Sequence, residues 1–241
     1  MTTQAGGGED YGIDAPTVVR NLALGGIALL VIALVAGHVP AMAPLVPTFA
    51  GAGIGMMIGA GWMLVSSLWL KKIVMRRLLS TRIWRGDEQV LDVGSGRGLV
   101  AIGAARRAPH GMVHALDIWQ QVDLSGNTPE ALLDNGRAAG VADRLIVDTG
   151  DARQMPYPDA TFDVVASMTA IHNIPDAVGR AAAIAEAWRV TKPGGQLLIF
   201  DIRHARGYAA QLRAFGAAVR LVGPVILWGP LCWRFSATKP D

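Results

Sequence analysis

The stretch Val90-Leu-Asp-Val-Gly-Ser-Gly-Arg-Gly98 decides the fold. Its apolar residues flank a single acid, Asp92, and three glycines then alternate with other residues. This pattern predicts a buried strand that runs into a tight turn, after which a helix begins near Leu99. Glycine lets the backbone bend sharply and approach a ligand closely. The positive end of the helix would face the turn, so the turn is a candidate binding site.

The spacing of these glycines excludes two common phosphate-binding motifs. A dinucleotide motif, G-x-G-x-x-G, counted from Gly94 requires its third glycine where this chain has Leu99. A P-loop requires a lysine after its last glycine, and none follows here. The carboxylate of Asp92 would also repel a phosphate, because like charges repel. It suits a ligand that carries an ammonium or sulfonium group instead.

The glycine motif resembles the first motif of the class I S-adenosylmethionine-dependent methyltransferases, of the type found in ubiquinone and menaquinone biosynthesis. The resemblance runs from about Glu88 to the C-terminus, and the later motifs follow in the expected order. It implies an α/β domain over residues 87–241, with a Rossmann-like sheet of seven strands and helices on both faces. It also implies S-adenosyl-L-methionine as the cofactor, S-adenosyl-L-homocysteine as the product, and methyl transfer to a nucleophile as the reaction.

The same resemblance assigns the cofactor-binding residues. Asp117, at the end of the second predicted strand, would hold the two ribose hydroxyls, since a carboxylate accepts several hydrogen bonds. Ile118 and Trp119 would cover the adenine, while Asp151 and the amide of Ala152 would meet its edge. The predicted cofactor set is Asp92, Gly94, Ser95, Gly96, Gly98, Asp117, Ile118, Trp119, Asp151, Ala152 and Met168.

The residues after the fourth predicted strand, Met168 to Pro175, are where the family performs its chemistry. Imidazole exchanges protons near neutral pH, so His172 could accept a proton from a substrate hydroxyl or amine. His172 and Asn173 are therefore the predicted catalytic residues. Hydrogen bonds that only fix the loop remain an equal alternative, because an already deprotonated nucleophile needs no base. The segment Asp123–Asn127 likewise either folds over the cofactor or forms a plain turn.

The N-terminal third of the chain predicts a membrane anchor. From Leu22 to Leu70 there is no Asp, Glu, Lys or Arg, and about 20 apolar residues suffice to cross a bilayer. Residues 19–70 therefore predict two transmembrane helices, separated by a proline-rich turn. A cleaved signal peptide fits poorly because acids, not bases, precede Arg20. A soluble hydrophobic hairpin is the remaining alternative.

The flanks of this hairpin predict its orientation. Arg20 precedes the first helix, and four basic residues follow the second, so the positive-inside rule places both ends and the catalytic domain in the cytoplasm. Residues 1–18 are polar and rich in glycine, which predicts disorder. Residues 71–86 predict a basic amphipathic linker helix on anionic lipid. The apolar segment 223–231 is predicted to be a hairpin loop that either enters the bilayer or lines a substrate pocket.

Composition narrows the function classes further. The net charge of +3 gives no case for nucleic acid, and the single cysteine, Cys232, excludes an intrachain disulfide. No His, Asp and Glu cluster has the spacing of metal ligands. Three functions remain open: a methyltransferase of a small lipophilic acceptor (quinone, prenyl or lipid-like), a methyltransferase of a soluble amine, thiol or phenol, and a non-catalytic membrane sensor that binds the cofactor. The sequence leaves the oligomeric state open.

Overall fold

The structure, a computed structural model, describes residues 8–226 and 231–241. Within these residues seven strands form one sheet in the order β3-β2-β1-β4-β5-β7-β6. β1 to β5 are parallel, and β7 runs antiparallel between β5 and β6. The strands are β1 Gln89–Val93, β2 Met112–Asp117, β3 Leu145–Thr149, β4 Phe162–Met168, β5 Thr191–Asp201, β6 Ala218–Ile226 and β7 Leu231–Thr238. The predicted seven-stranded Rossmann-like fold is confirmed.

Helices cover both faces of the sheet. The helices are α1 Pro16–Ala36, α2 Val46–Val65, α3 Lys71–Leu79, α4 Leu99–Ala105, α5 Pro129–Ala138, α6 Ala177–Val190 and α7 Ala205–Ala214. Alternate residues of each strand point to opposite faces, so the core divides into two clusters. One cluster joins the sheet to α3, α4 and α5, and the other joins it to α6 and α7. Helix starts follow their caps, as where Asp176 Oδ1 accepts from the Gly179 amide at 2.6 Å.

The two N-terminal helices form an apolar hairpin that projects from the domain. α1 and α2 are joined by the short helix Pro40–Leu45, where proline interrupts the chain. They pack closely, as Gly53 shows: a Cβ atom at this position would lie only 2.9 Å from the carbonyl oxygen of Gly26. α1 and the continuous helix Pro40–Leu79, which contains α2, are long and apolar enough to cross a membrane, with mean hydropathies of 2.3 and 1.5. Only 17% and 6% of their apolar stretches of 18 residues are buried, whereas the core helix of a soluble protein is mostly buried.

Three predictions about segments need correction. The predicted disorder over residues 1–18 is wrong for residues 8–18, since residues 9–15 find polar partners on the domain and α1 begins at Pro16; residues 1–7 lie outside the described residues. The predicted linker helix over 71–86 ends at Leu79, and the face that includes Val74 and Leu78 is buried in the core, so that face does not lie on lipid. Most of the predicted loop 223–231 belongs to β6 and β7, and its tip, 227–230, is outside the described residues.

Candidate active site

A cavity of about 350 Å³ opens at the carboxyl ends of β1, β2 and β4. The strand order reverses between β1 and β4, and ligands of open α/β sheets bind at such a switch point. The volume lies within the usual range of small-molecule sites. Nine of the predicted cofactor residues line it, namely Asp92, Gly94, Ser95, Gly96, Asp117, Ile118, Asp151, Ala152 and Met168.

The glycine-rich turn forms the floor of this cavity. Gly94 and Gly96 have φ angles of 72° and 53°, in the left-handed region that favours glycine. A Cβ on Gly94 would also collide with the Cβ of Ala170. The amides of Gly94 and Ser95 donate to the Leu116 carbonyl at 2.8 and 3.1 Å, which fixes the turn to β2. The backbone can therefore meet a ligand directly at this turn.

Asp92 places a carboxyl group under the turn. Its side chain is buried, and Oδ2 accepts from the Ala101 amide at 2.8 Å, while Oδ1 has no hydrogen-bond partner. Burial raises the pKa of Asp92 to about 8, and the nearby charge of Asp117 adds to this increase. A cationic group in the cavity would stabilise the ionised form and lower this pKa again.

The pH dependence of folding and of binding follows from this carboxyl group. Because the folded pKa exceeds the unfolded value, the unfolded chain loses the proton first as the pH rises. Stability that is present below about pH 4 should decline as the pH rises to about 8. The affinity for a cationic ligand should change in the opposite direction, because the ionised carboxylate attracts it. This affinity should rise roughly 10- to 100-fold between about pH 6 and pH 8.

Calorimetric titration of S-adenosylmethionine across this pH range measures the binding effect. The variant Asp92→Asn keeps the shape but cannot ionise, so its affinity should lose this pH dependence. In chemical unfolding of the ligand-free proteins, the stability of the wild type should decline as the pH rises, and the stability of Asp92→Asn should not. An identical pH dependence of binding in both proteins would show that Asp92 does not face the cation.

Asp117 connects three parts of the site through hydrogen bonds. Its Oδ2 accepts from the Gly96 amide at 2.8 Å, and its Oδ1 accepts from the Trp119 amide at 2.7 Å and from Asn127 Nδ2 at 3.3 Å. A carboxylate offers about four acceptor positions. Three are used by the protein, so about one remains for a ribose hydroxyl, rather than two as the sequence predicts.

Two predicted cofactor residues lie outside the cavity lining. Gly98 has a φ of 86° and precedes α4, where it turns the chain into the helix. Trp119 has a φ of 61°, and its indole Nε1 donates to Thr149 Oγ1 at 2.8 Å. The prediction that Trp119 covers the adenine is therefore not supported by its position. Its neighbour Ile118, which is 52% exposed, does line the cavity.

Asp151 lines the cavity but already has a cationic partner. Its two oxygens lie 2.6–3.0 Å from the Arg153 guanidinium, and this pairing lowers the pKa of the Asp151 carboxyl. The sequence predicts Asp151 as an acceptor for the adenine amine. In the structure that acceptor is shared with Arg153, so Arg153 belongs to the same end of the site.

The N-terminal strap, residues 9–15, covers part of the cavity. The sequence did not predict this role. Ala15 donates to the Asp123 carbonyl at 2.8 Å and Ser125 donates to the Ile13 carbonyl at 3.1 Å, so the strap pairs with the segment 123–127. Asp123, Leu124 and Asn127 line the cavity, which supports the alternative that this segment folds over a bound cofactor. In the sequence, the acidic side chains of the strap were the sign of a structured segment, but their spacing could not identify the residues that they contact.

Lys71, the first residue of α3, secures the strap. Its ammonium donates to the carbonyls of Tyr11 and Gly12, both at 2.8 Å, and lies 3.3 Å from the Asp14 carboxylate. The Lys71 residue is only 5% exposed. Tyr11, Asp14, Ala15 and Lys71 all line the cavity. The segments that flank the apolar hairpin therefore meet at the rim of the site.

His172 forms a buried pair with Asp201 at the carboxyl ends of β4 and β5. The two side chains are 10% and 1% exposed, and His172 Nδ1 lies 2.5 Å from Asp201 Oδ1. This contact has the distance of an ion pair without the alignment of a hydrogen bond. The His172 amide also donates to Asp201 Oδ2 at 3.1 Å. His172 and Asn173 both line the cavity, whereas the role of Asp201 was not predicted.

Orphaned polar atoms test whether the cavity fits a polar cofactor. Unpartnered buried side-chain atoms include Asp92 Oδ1, Ser95 Oγ and Asn127 Oδ1, and all three residues line the cavity. Buried polar atoms normally have partners. The set combines an acid for a cation with amide and hydroxyl groups for a sugar, which is the chemistry of S-adenosylmethionine. Within the described ranges, no group of His, Cys, Asp or Glu could hold a metal ion.

Comparison with known proteins places this site in a family. A family profile described as a methyltransferase domain matches residues 91–199. The chain is 37% identical over 140 residues to the 27-O-demethylrifamycin SV methyltransferase of Amycolatopsis mediterranei, an alignment that covers 58% of this chain and 47% of that protein. It is 32% identical over 127 residues to the ubiquinone/menaquinone biosynthesis C-methyltransferase UbiE of Roseobacter denitrificans, covering 53% and 47%. The chain thus spans about half the length of these relatives.

Solved structures support the fold. A SAM-dependent methyltransferase from Aquifex aeolicus superposes with a TM-score of 0.55 at 18% identity, covering 75% of this chain and 97% of that one. The [4+2]-cyclase SpnF superposes equally well, at 0.55 and 20% identity, covering 70% and 80%. Fold likeness at this identity therefore does not distinguish methyl transfer from other reactions. The glycine motif, the sheet order and the sequence relatives agree, and the domain that begins at β1 belongs to the class I S-adenosylmethionine-dependent methyltransferases.

Proposed function

We propose that the chain is a membrane-anchored methyltransferase that transfers the methyl group of S-adenosylmethionine to a small lipophilic acceptor, such as a quinone, a prenyl compound or a lipid-like molecule. The observation that carries this proposal is that residues at both ends of the membrane anchor line the cavity. Ala15 directly precedes α1, Lys71 begins the helix after α2, and both line the cavity that Gly94 floors. An acceptor dissolved in the bilayer would meet the site where the hairpin enters the membrane.

The residues around the cavity perform separate tasks in this reaction. S-adenosylmethionine, when bound, supplies a methyl group on a sulfonium. Asp92 stabilises positive charge, Asp117 holds the glycine turn and the 123–127 segment together, and the strap excludes water. His172 takes the proton of an acceptor hydroxyl or amine, and Asp201 orients the imidazole. For an acceptor that is already ionised, the same residues act through alignment alone.

The relatives lend support to a lipophilic acceptor. Several are named ubiquinone/menaquinone biosynthesis C-methyltransferases, and another is named a demethylmenaquinone methyltransferase. Quinones of this kind reside in membranes, which agrees with an exposed apolar hairpin on this chain. The soluble-acceptor and sensor alternatives give no reason for the apolar hairpin to adjoin the cavity.

Incubation of the full chain with methyl-labelled cofactor and native membrane extract tests this function. The proposal expects label in a product that partitions into organic solvent. Label in a water-soluble amine, thiol or phenol would support the soluble-acceptor alternative. Cofactor binding without any labelled product would support the sensor alternative and contradict methyl transfer.

The orientation of the anchor is a second proposal. We expect both termini to face the cytoplasm, because Arg20 and Lys72 lie at the two flanks of the hairpin and the connection between the helices is uncharged. Tags before Gly8 and after Asp241 should be protected from external labelling in intact cells, whereas a cysteine at Ala43 should react. Opposite accessibility of the two tags would contradict a two-span anchor.

A further inference from the structure

Three arginines from distant parts of the chain lie near one another on the α3 side of the sheet, since the charges of Arg77 and Arg220 both act on Arg234. Arg77 lies in the last turn of α3, Arg220 on β6 and Arg234 on β7. In the β6–β7 ladder Val222 pairs with Arg234, and Arg220 stands two residues from Val222, so both arginines share one face. Arg234 also pairs with Phe200, which belongs to the α3-side core cluster.

Within the described residues, this arginine cluster has no acidic partner. Other guanidinium groups do have one, as Arg82 has Glu88 and Arg189 has Glu186. Among the described residues, no ion pair or side-chain hydrogen bond involves the guanidinium groups of the cluster, and Arg234 Nε is shielded from solvent without a partner. Burial, together with the charges of Arg77 and Arg220, lowers the pKa of Arg234 from its usual value. Such an arrangement is stabilised when an anion binds between the groups.

The cluster lies close to where the membrane surface would be. α3 continues the helix of α2 through the turn Ser66–Leu70, and Arg77 follows Lys71 by about 9 Å along the axis. The β6–β7 hairpin runs in the same direction as the anchor, because Asp201 at the carboxyl end of β5 pairs with Trp233 and the hairpin extends beyond it. Lipid head groups occupy roughly 5–7 Å outside the hydrocarbon, which long arginine side chains can reach.

We propose that Arg77, Arg220 and Arg234 bind the phosphate group of an anionic lipid in the membrane that holds the hairpin. Guanidinium groups match phosphate oxygens with paired N–H donors, and the cytoplasmic leaflet is the one that carries anionic lipid. A lipid is favoured over free phosphate because α3 joins the cluster directly to the membrane anchor. The proposal rests on the anchoring proposed above but not on the reaction. Its role is to hold the C-terminal hairpin against the membrane beside the site.

Native mass spectrometry of the full chain in mild detergent tests this binding. Phosphatidylglycerol is titrated against phosphatidylcholine, and the bound lipid is counted. The wild type should prefer phosphatidylglycerol, and Arg77→Gln/Arg220→Gln/Arg234→Gln should weaken that binding roughly 10- to 100-fold. The lysine triple variant at the same positions keeps the charge and should retain most of the binding.

A matched control removes three charges from other surfaces. The variant Arg85→Gln/Arg137→Gln/Arg213→Gln should bind phosphatidylglycerol as the wild type does. Thermal unfolding and cofactor binding verify that each variant is folded. Equal loss in the control and cluster variants, equal binding of both lipids, or displacement of the lipid by millimolar inorganic phosphate would overturn the proposal. Failure of the chain to insert into membranes at all would instead contradict the anchor.

Discussion

The variant His172→Ala is expected to lower the maximal rate by about 10²- to 10⁴-fold, the usual contribution of a general base. Its affinity for S-adenosylmethionine should change little, because the cofactor contacts lie at the glycine turn and at Asp117. The expectation rests on the buried pair with Asp201 and on the place of His172 in the cavity lining. Steady-state kinetics and calorimetry on the same preparation separate the two effects.

The chain offers a matched control for this variant. His114 also pairs with an acid, with Nδ1 2.8 Å from Asp148 Oδ2, but it lies on β2 outside the cavity lining. His114→Ala should keep the rate within a few-fold. Asp201→Asn should lower the rate and change the pH–rate profile, because the imidazole loses the charge that orients it. If folded His172→Ala keeps a near-normal rate across the neutral range, His172 only fixes the loop and methyl transfer uses no base.

The variant Lys71→Met should open the cover of the site. Methionine has a similar length but no charge, so Asp14 and the carbonyls of Tyr11 and Gly12 would lose their common donor. Removing one partner of a buried ion pair costs about 3–5 kcal/mol. Hydrogen exchange at residues 11–15 should become faster by orders of magnitude, and cofactor affinity should fall by at least about tenfold, because the strap lines the cavity.

Lys72→Met is the control for this experiment. Lys72 is adjacent, and its ammonium lies 5.6 Å from the centroid of the Tyr11 ring and near the Glu9 carboxylate, but among the described residues it donates no hydrogen bond to the strap. It should leave exchange and affinity nearly unchanged. In the double variant Lys71→Met/Asp14→Asn the buried charge is gone, so part of the lost stability should return. Equal exchange in Lys71→Met and Lys72→Met would show that the strap does not depend on the buried pair.

Local patterns predicted much of the fold. The apolar residues around Asp92 and the turn glycines predicted β1 and the start of α4 at Leu99. These features depend on neighbours in sequence, so the sequence alone carries them. The predicted cofactor residues came from the family resemblance, and most of them line one cavity because they follow strand ends that converge at one edge of a parallel sheet.

The remaining features depend on contacts between distant residues. No spacing rule connects Lys71 to the Tyr11 carbonyl or Asn135 to Asp10, so the strap appeared only as a polar, glycine-rich segment. The contact of Asp201 with His172 was not predicted, because it needs the register of β4 and β5. Trp119 was assigned by the family resemblance from its place after β2, and the bond of its indole to Thr149 depends on the position of β3. In each case tertiary geometry, not local preference, decided the outcome.

We propose that the site acts on an acceptor that arrives through the bilayer. To test this, the full chain is reconstituted in vesicles with its identified acceptor, and the initial rate is measured while neutral lipid is added. Bulk acceptor concentration stays fixed, and the acceptor's mole fraction in the membrane falls. We expect the rate to fall with the mole fraction. A rate that stays unchanged at the fixed bulk concentration would show that the acceptor enters from water and would overturn the proposal.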